Sequence, residues 1–590
     1  MNTYSFKFIH QKILIYAADR MCDTPEELLS SPLFREFLGH ALNQLRHRRS
    51  PLLDIFENPE KINDDQVARL VETLIYLTKV RGEVVPNIVK DSDRFFRNNE
   101  LLNDFVEYLY NYWRDFDRFV ICSSAFSKME EKPYRTFDDT IEHFTHLMRK
   151  TYRDIQENIT GHHPAIYRQV RAGAEIAAIT SNQFTTTPDG VYQKLRGIPI
   201  IRQILLNPPL ILNPPMNKRT GRFVPADANP LDRIDIRTEE WFCFPARVGK
   251  LVILIYFHEK FAELGFSLCN LFELANNADL ERKPDGIYLY GVPGDALDQL
   301  AKFPTIFHYD TTNDMLVAAV PNRDEFGYFG YLKKMALTLH NIRMMQRGAM
   351  PFHGALVNIL LHSGSEATIL MIGDTGAGKS ETLEAFRIIG DDRIRDMTII
   401  ADDMGSLKIS GPGRILGYGT EIGAYVRLDD LQAGYAFGQL DRTIIMNPDQ
   451  VNARAVLPVT TYSRVVRGYP VDMILYANNY ETVDEDHPLI EQFRTAEDAL
   501  RVFREGTVMS KGTTTSTGLV HSYFANVFGP AQYRTEHEVI AGTYFDAFIK
   551  GGLFVGQIRT RLGISGSEAQ GPEEAARALL GLIDAGNGKN

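Results

Sequence analysis

Gly373-Asp374-Thr375-Gly376-Ala377-Gly378-Lys379-Ser380 is the stretch on which the reading of this chain turns. It has the full G-x-x-x-x-G-K-[ST] spacing of a phosphate-binding loop. An apolar, strand-like run precedes it, Ala367-Thr368-Ile369-Leu370-Met371-Ile372, and a helix-like segment follows over 381–389. A phosphate loop needs that strand–loop–helix setting. The glycines let successive N–H groups turn inward, and the helix N-terminus adds partial positive charge. Lys379 then reaches the outer phosphates, and the Ser380 hydroxyl is placed to ligate Mg²⁺. The eight loop residues with Glu381 form the expected nucleotide site. The competing reading is a plain Gly-rich turn between strand and helix.

Working outward, the chain has 590 residues, too many for one core, so several domains are expected. A net charge of -11 without a dense Lys/Arg run argues against a nucleic-acid surface. The four cysteines, Cys22, Cys122, Cys243 and Cys269, form no C-x-x-C pair, so neither a zinc knuckle nor a disulfide framework is expected. No apolar run reaches the length of a membrane span, and the N-terminus lacks a secretory pattern. A cytoplasmic enzyme is the expectation, with no membrane partner.

Residues 1–165 read as a mainly helical region, with apolar spacing of three to four over 28–46, 65–80, 101–119 and 137–159. Phe105, Tyr108, Tyr110, Tyr112 and Trp113 read as helical core. No catalytic motif stands out here, and this region is the candidate surface for a protein partner. Residues 166–330 read as a mixed α/β lobe, punctuated by Asn207-Pro208-Pro209 and Asn213-Pro214-Pro215. Residues 331–590 carry the phosphate loop and further strands. The strand after the loop's helix ends in Ala401-Asp402-Asp403. Carboxylates at that point suit a metal ligand and a base.

Several segments together resemble the ATP-dependent phosphoenolpyruvate carboxykinases, within the P-loop superfamily that also holds the HPr kinases. Tyr328 to Met335 resembles that family's tyrosine and paired-lysine segment, and His353 follows the second lysine as the family's histidine does. The resemblance implies Lys334, His353 and Asp403 as Mn²⁺ ligands, with Ser380 on the nucleotide's Mg²⁺. Thr220-Gly221-Arg222 resembles the substrate-gripping T-G-R, and Asn452-Ala453-Arg454 the N-x-R that meets the transferring phosphoryl. Gly423-Ala424-Tyr425-Val426-Arg427 resembles G-C-Y-A-K, and residues 509–515 the mobile lid. By the same resemblance Arg222 and Tyr328 position oxaloacetate, and Arg559 lies near the adenine. The implied fold is a bilobal phosphoenolpyruvate-carboxykinase-like α/β structure, with a mixed α/β N-lobe at 166–330 and a nucleotide- and metal-binding C-lobe at 331–590. The helical region 1–165 precedes it. The implied activity is conversion of oxaloacetate and ATP to phosphoenolpyruvate, ADP and CO₂.

Three departures keep other readings open. The loop reads Gly-Ala-Gly-Lys-Ser-Glu where the carboxykinases have G-T-G-K-T-T. Phe223 replaces a serine, and the interval from Lys379 to Asp403 is long, with residues 387–396 read as a charged insertion. His353-Gly354, Lys379-Ser380-Glu381 and Asp402-Asp403 are also similar to the HPr kinase branch, where an acid such as Asp402 acts as base on a hydroxyl. A nucleotide-binding regulator is the third reading.

Overall fold

In a computed structural model the described residues are 4–17, 21–123, 132–162, 172–182, 187–389, 393–411, 414–428, 442–511 and 517–586. The chain divides into two compact units, 1–183 with 201–207, and 184–200 with 208–590.

The first unit is helix-rich and also carries a sheet, which the apolar spacing did not predict. Strands β1 (Tyr4–Ile9), β2 (Lys12–Ala17), β3 (Asp117–Ser123), β4 (Ile176–Ser181) and β5 (Ile200–Leu206) lie side by side in that order. β1 and β2 form an antiparallel hairpin, and β2, β3 and β4 run parallel. Among the described residues five α-helices accompany them: α1 (Pro25–Ser30), α2 (Pro32–His47), α3 (Asp64–Leu77), α4 (Asn99–Arg114) and α5 (Lys132–Thr160). The single helix expected over 28–46 is two helices. Ser31 caps the second through its side chain, with Pro32 at the first helical position, where the missing N–H costs nothing. The helix expected over 101–119 stops at Arg114, since Phe119 belongs to β3. Phe105 and Trp113 are core, and Tyr108 and Tyr112 pack against it half-buried.

The second unit contains β6 (Leu210–Leu212) and a sheet ordered β7-β8-β9-β11-β10: Trp241–Val248, Leu251–His258, Gly286–Val292, Met315–Pro321 and Ile306–Asp310. Helix α6 (Phe329–Gln346) follows, buried on almost every side. A second sheet is built on β12 (Met350–Leu361), β13 (Glu366–Ile372), β14 (Ile394–Ala401), β15 (Met404–Ile409) and β16 (Ile415–Gly419). β12 pairs antiparallel with β13, β14 and β15. A third, small sheet has the order β17-β19-β18-β6, with β17 at Gly423–Arg427, β18 at Ile444–Met446 and β19 at Arg454–Pro458. Strand β20 (Met473–Asn478) runs parallel to β13 and to the strand Phe554–Arg559.

The strand before the phosphate loop is β13, and the helix after it is α7 (Lys379–Ile389). Leu383 and Phe386 of α7 pack with Leu579 and Leu580 of α8 (Gln570–Asp584) over the apolar face of the second sheet. This burial holds the loop between a rigid strand and a rigid helix. Residues 512–516 of the segment read as a lid, and 390–392 of the charged insertion, lie outside the described residues. The flanks of the first form a hairpin, Thr507–Lys511 with Thr517–His521.

Candidate active site

The site grows from one backbone junction. His353 lies on β12 opposite Met404, and its carbonyl accepts from Gly373 N at 3.2 Å. The next N–H, of Gly354, donates to the carbonyl of Asp403 at 2.9 Å. The first loop glycine, the histidine and the acidic pair are thereby sewn together by main chain. Gly354 has no alternative there: a Cβ would sit 2.4 Å from the Met371 carbonyl. Gly376 and Gly378 take positive φ values of 80° and 96°, which favour glycine. A Cβ on Gly378 would also strike Thr560, whose hydroxyl donates to the Ala377 carbonyl at 2.7 Å.

Lys379 folds back on its own loop, donating to the carbonyls of Gly373 (2.6 Å) and Asp374 (3.1 Å). Ser380 is exposed and lines a cavity of about 200 Å³. Tyr328, Lys333, Lys334, His353, Asp402 and Asp403 line the same cavity. So does Arg454, whose guanidinium lies 5.5 Å from the Tyr425 ring. Thr375, Gly376 and Glu381 complete the loop side.

Within the cavity the charges are ordered. Lys333 Nζ sits 2.6 Å from Asp403 Oδ2 and 3.4 Å from Glu421 Oε1. Burial disfavours its ammonium, but Asp403 and Glu421 hold its pKa above the usual lysine value. Asp403 shows the reverse balance: burial raises it, and Lys333 and His353 keep it well below the usual carboxylate range. Burial, followed by the neighbouring Asp403, raises Asp402. Burial and the nearby Arg219 lower Lys334 to about 7, so its free amine is accessible near neutrality. Lys334 Nζ lies 5.1 Å from the Phe528 ring.

His353 is the pivot. Its Nδ1 is 2.5 Å from the carbonyl of Ala525, which can only accept, so Nδ1 carries the proton. Nε2 faces Asp403 Oδ1 at 2.9 Å. With Nδ1–H donating away, the Nε2 lone pair and a carboxylate oxygen face each other, an arrangement that calls for a proton or a cation. Two adjacent ligands of an octahedral cation with bonds of about 2.1 Å stand about 3 Å apart, which matches. An imidazole nitrogen, a carboxylate oxygen and a lysine amine of lowered pKa make a donor set that fits one divalent ion. Among the described residues, no group of three or more His, Cys, Asp or Glu has that capacity, so a set here needs the lysine.

Not every expected residue reaches the cavity. Arg222 is exposed, and its carbonyl accepts from Thr305. Arg559 is 1% exposed, donating to Glu481, Glu491 and the Pro488 carbonyl, and it does not line the cavity. Asp374 turns its carboxylate to Ser522 at 3.0 Å, and Ala377 is buried beneath the loop.

Three residues escaped sequence reasoning. Lys333, given no role beside Lys334, is 2% exposed. Glu421, four residues before Tyr425, is its buried counter-ion, with a carboxyl pushed up to about 7 by burial. Arg219 precedes the T-G-R and is close enough to depress Lys334. Its loop is pinned by Tyr331, whose hydroxyl accepts from the N–H groups of Thr220 (3.2 Å) and Gly221 (2.9 Å). Among the described residues no carboxylate pairs with Arg219; its guanidinium stacks 4.9 Å from the Phe223 ring.

No helix among the described residues is long and apolar enough to cross a membrane. No family model matches the sequence, and no curated protein is similar to it.

Proposed function

We propose that this chain transfers the γ-phosphoryl group of ATP, by chemistry of the phosphoenolpyruvate carboxykinase type. One observation carries the proposal: the phosphate loop, the Asp402–Asp403 pair, His353 and Lys334 all line one cavity. Lys379 exchanges its two loop carbonyls for the outer phosphates, and loop N–H groups cradle them. Arg454, which lines the same cavity, meets the transferring group's equatorial oxygens. Oxaloacetate is the proposed acceptor, entering on the side of Tyr328 and Lys334. Held by Lys334, His353 and Asp403, Mn²⁺ would stabilise the enolate oxygen, and Mg²⁺ at Ser380 would neutralise the phosphates. Loss of CO₂ supplies the nucleophile, so this route needs no base.

Two observations favour a second reading, a kinase for a hydroxyl acceptor. Asp402 is a cavity-lining carboxylate of raised pKa, suited to proton abstraction. Arg222, the residue that would grip oxaloacetate, faces solvent. An ADP-release assay with Mn²⁺ and Mg²⁺, run with and without oxaloacetate, separates the two. Oxaloacetate-dependent ADP and phosphoenolpyruvate support the first. ATP binding with indifference to oxaloacetate removes it and leaves the hydroxyl kinase. Binding without turnover on any acceptor would leave only a nucleotide sensor.

A further inference from the structure

The first unit has a cavity of its own, about 70 Å³ in volume, among helices α1 to α5. Leu28 of α1, Phe37 of α2, Leu74 of α3, Trp113 of α4 and Ile155 of α5 line it, each at most 4% exposed. Well-packed cores hold few voids larger than a water molecule. A water inside a protein needs about two to four polar partners. The polar groups of this lining are committed elsewhere. Trp113 Nε1 donates to the Ala172 carbonyl at 2.9 Å, and the Thr151 hydroxyl donates to the Leu147 carbonyl at 2.8 Å. Carbon suits this space better than water.

The half-buried part of the lining, Phe34, Tyr110, Met148 and Tyr152, marks the mouth. Tyr110 and Tyr152 stack there with ring centroids 3.9 Å apart. Helices α4 and α5 run antiparallel past it: Gln156 meets Asn103 and Glu107, and Tyr152 meets Glu107 and Tyr110. The same course sets Arg149, a turn further on, level with Arg114. Burial raises the Tyr110 hydroxyl, and Arg114, Arg149 and Arg153 draw it back down, so three guanidinium groups stand near the mouth. The nearby acid Glu107 is occupied by donors from Tyr152, Asn111 and Gln156.

We propose that this cavity binds a short aliphatic carboxylate, its alkyl tail inside and its head at the mouth among Arg114, Arg149 and Arg153. A guanidinium matches a carboxylate in shape and charge. Tail length follows from volume. An apolar cavity of about 150 Å³ takes the carbons of benzene, so one of about 70 Å³ takes about three or four. Met148, unbranched and half-buried, can shift to admit the tail. This site stands apart from the phosphoryl-transfer reading and does not depend on it.

The test is calorimetric titration of the full chain with sodium acetate, propanoate, butanoate, pentanoate and hexanoate, beside 1-pentanol and pentylamine. Affinity should rise about fourfold per methylene until the tail fills the cavity, then level. Pentanoate should bind about fivefold more tightly than 1-pentanol, and pentylamine more weakly than either. In a Trp241→Phe background the emission of Trp113, which lines the cavity, should change as pentanoate binds. Val106→Phe, which fills the cavity, should abolish binding of both pentanoate and 1-pentanol. Arg114 is exposed, so Arg114→Gln leaves the core intact. That variant should weaken pentanoate about threefold and leave 1-pentanol unchanged, which decides the matter even where Val106→Phe does not fold. A flat series, pentylamine binding as well as pentanoate, or an unchanged preference for pentanoate over 1-pentanol in Arg114→Gln overturns the proposal.

Discussion

Replacing Lys333 by methionine removes the buried cation that lies between Asp403 and Glu421. The ammonium is 2% exposed, 2.6 Å from Asp403 and 3.4 Å from Glu421. Methionine matches its length and leaves the packing of α6 intact, so the loss is electrostatic. Removing one partner of a buried pair costs roughly 3–5 kcal/mol, because the remaining charge is stranded. The total stability of a domain is about 5–15 kcal/mol, so the variant should be visibly weakened. The deficit should also depend on pH. In the wild type Asp403 is held low, so it favours the fold at every pH above its unfolded value of about 3.9. Without Lys333 its folded pKa rises above that value. The folded variant then binds more protons than its unfolded chain, and its stability falls as pH rises, by up to about 1.4 kcal/mol per unit. The deficit is therefore already present at pH 5 and grows further toward pH 8. Urea unfolding reads it directly. The chain has two tryptophans, Trp113 in the first unit and Trp241 in the second, both buried. In a Trp113→Phe background the signal reports the second unit alone. Equal midpoints for Lys333→Met and its parent across this pH range would refute the buried-counter-ion account.

Lys379→Met should lower ATP turnover about 100-fold or more, read by ADP release, with the fold kept as judged by circular dichroism. Asp402→Asn separates the acceptor classes. Transfer to a hydroxyl should drop at least about 100-fold, and oxaloacetate-dependent phosphoenolpyruvate formation should be spared. Arg219→Ala should raise the KM for an anionic acceptor about tenfold, whereas Arg222→Ala, at an exposed site, should change it less than about twofold. The opposite order would restore the role that the T-G-R segment suggests for Arg222. His340 and His537 are both lowered to about 4 by burial. They are neutral in the fold, so stability is flat above pH 6.5 and falls as pH drops from 6.5 toward 4, by up to about 3 kcal/mol each. His340→Gln should shrink that acid loss in urea midpoints.

The parts of this site that local chemistry dictates could be read from the sequence. A phosphate loop needs its glycines, its lysine and a strand and helix around it, and β13 and α7 are where the pattern puts them. The acidic pair was legible because Ile399-Ile400-Ala401 is apolar and then abruptly charged. Partners set by tertiary pairing were not legible. Glu421 and Lys333 are 88 positions apart in sequence and meet only through packing. Arg559 read as a residue near a base, but Glu481 and Glu491, from a separate loop and strand, claim its guanidinium. In the first unit, Ser31-Pro32 is a helix start written in ordinary capping chemistry, and the apolar spacing ran across it. The spacing over 101–119 likewise hid the change from a period near 3.6 to one of two at Asp117.

Phe524, Ala525 and Asn526 form a turn in which three consecutive non-glycine residues take left-handed φ values of 47°, 56° and 62°. Each costs on the order of 1–2 kcal/mol. That turn presents the Ala525 carbonyl to His353, and so decides which imidazole nitrogen is bare. Glycine at Asn526 would relax the backbone, yet loosen the grip on the ring; at Phe524, 2% exposed, it would also empty the space the phenyl fills. Selection for a hardier protein and selection for a correctly poised imidazole therefore pull in opposite directions at Asn526.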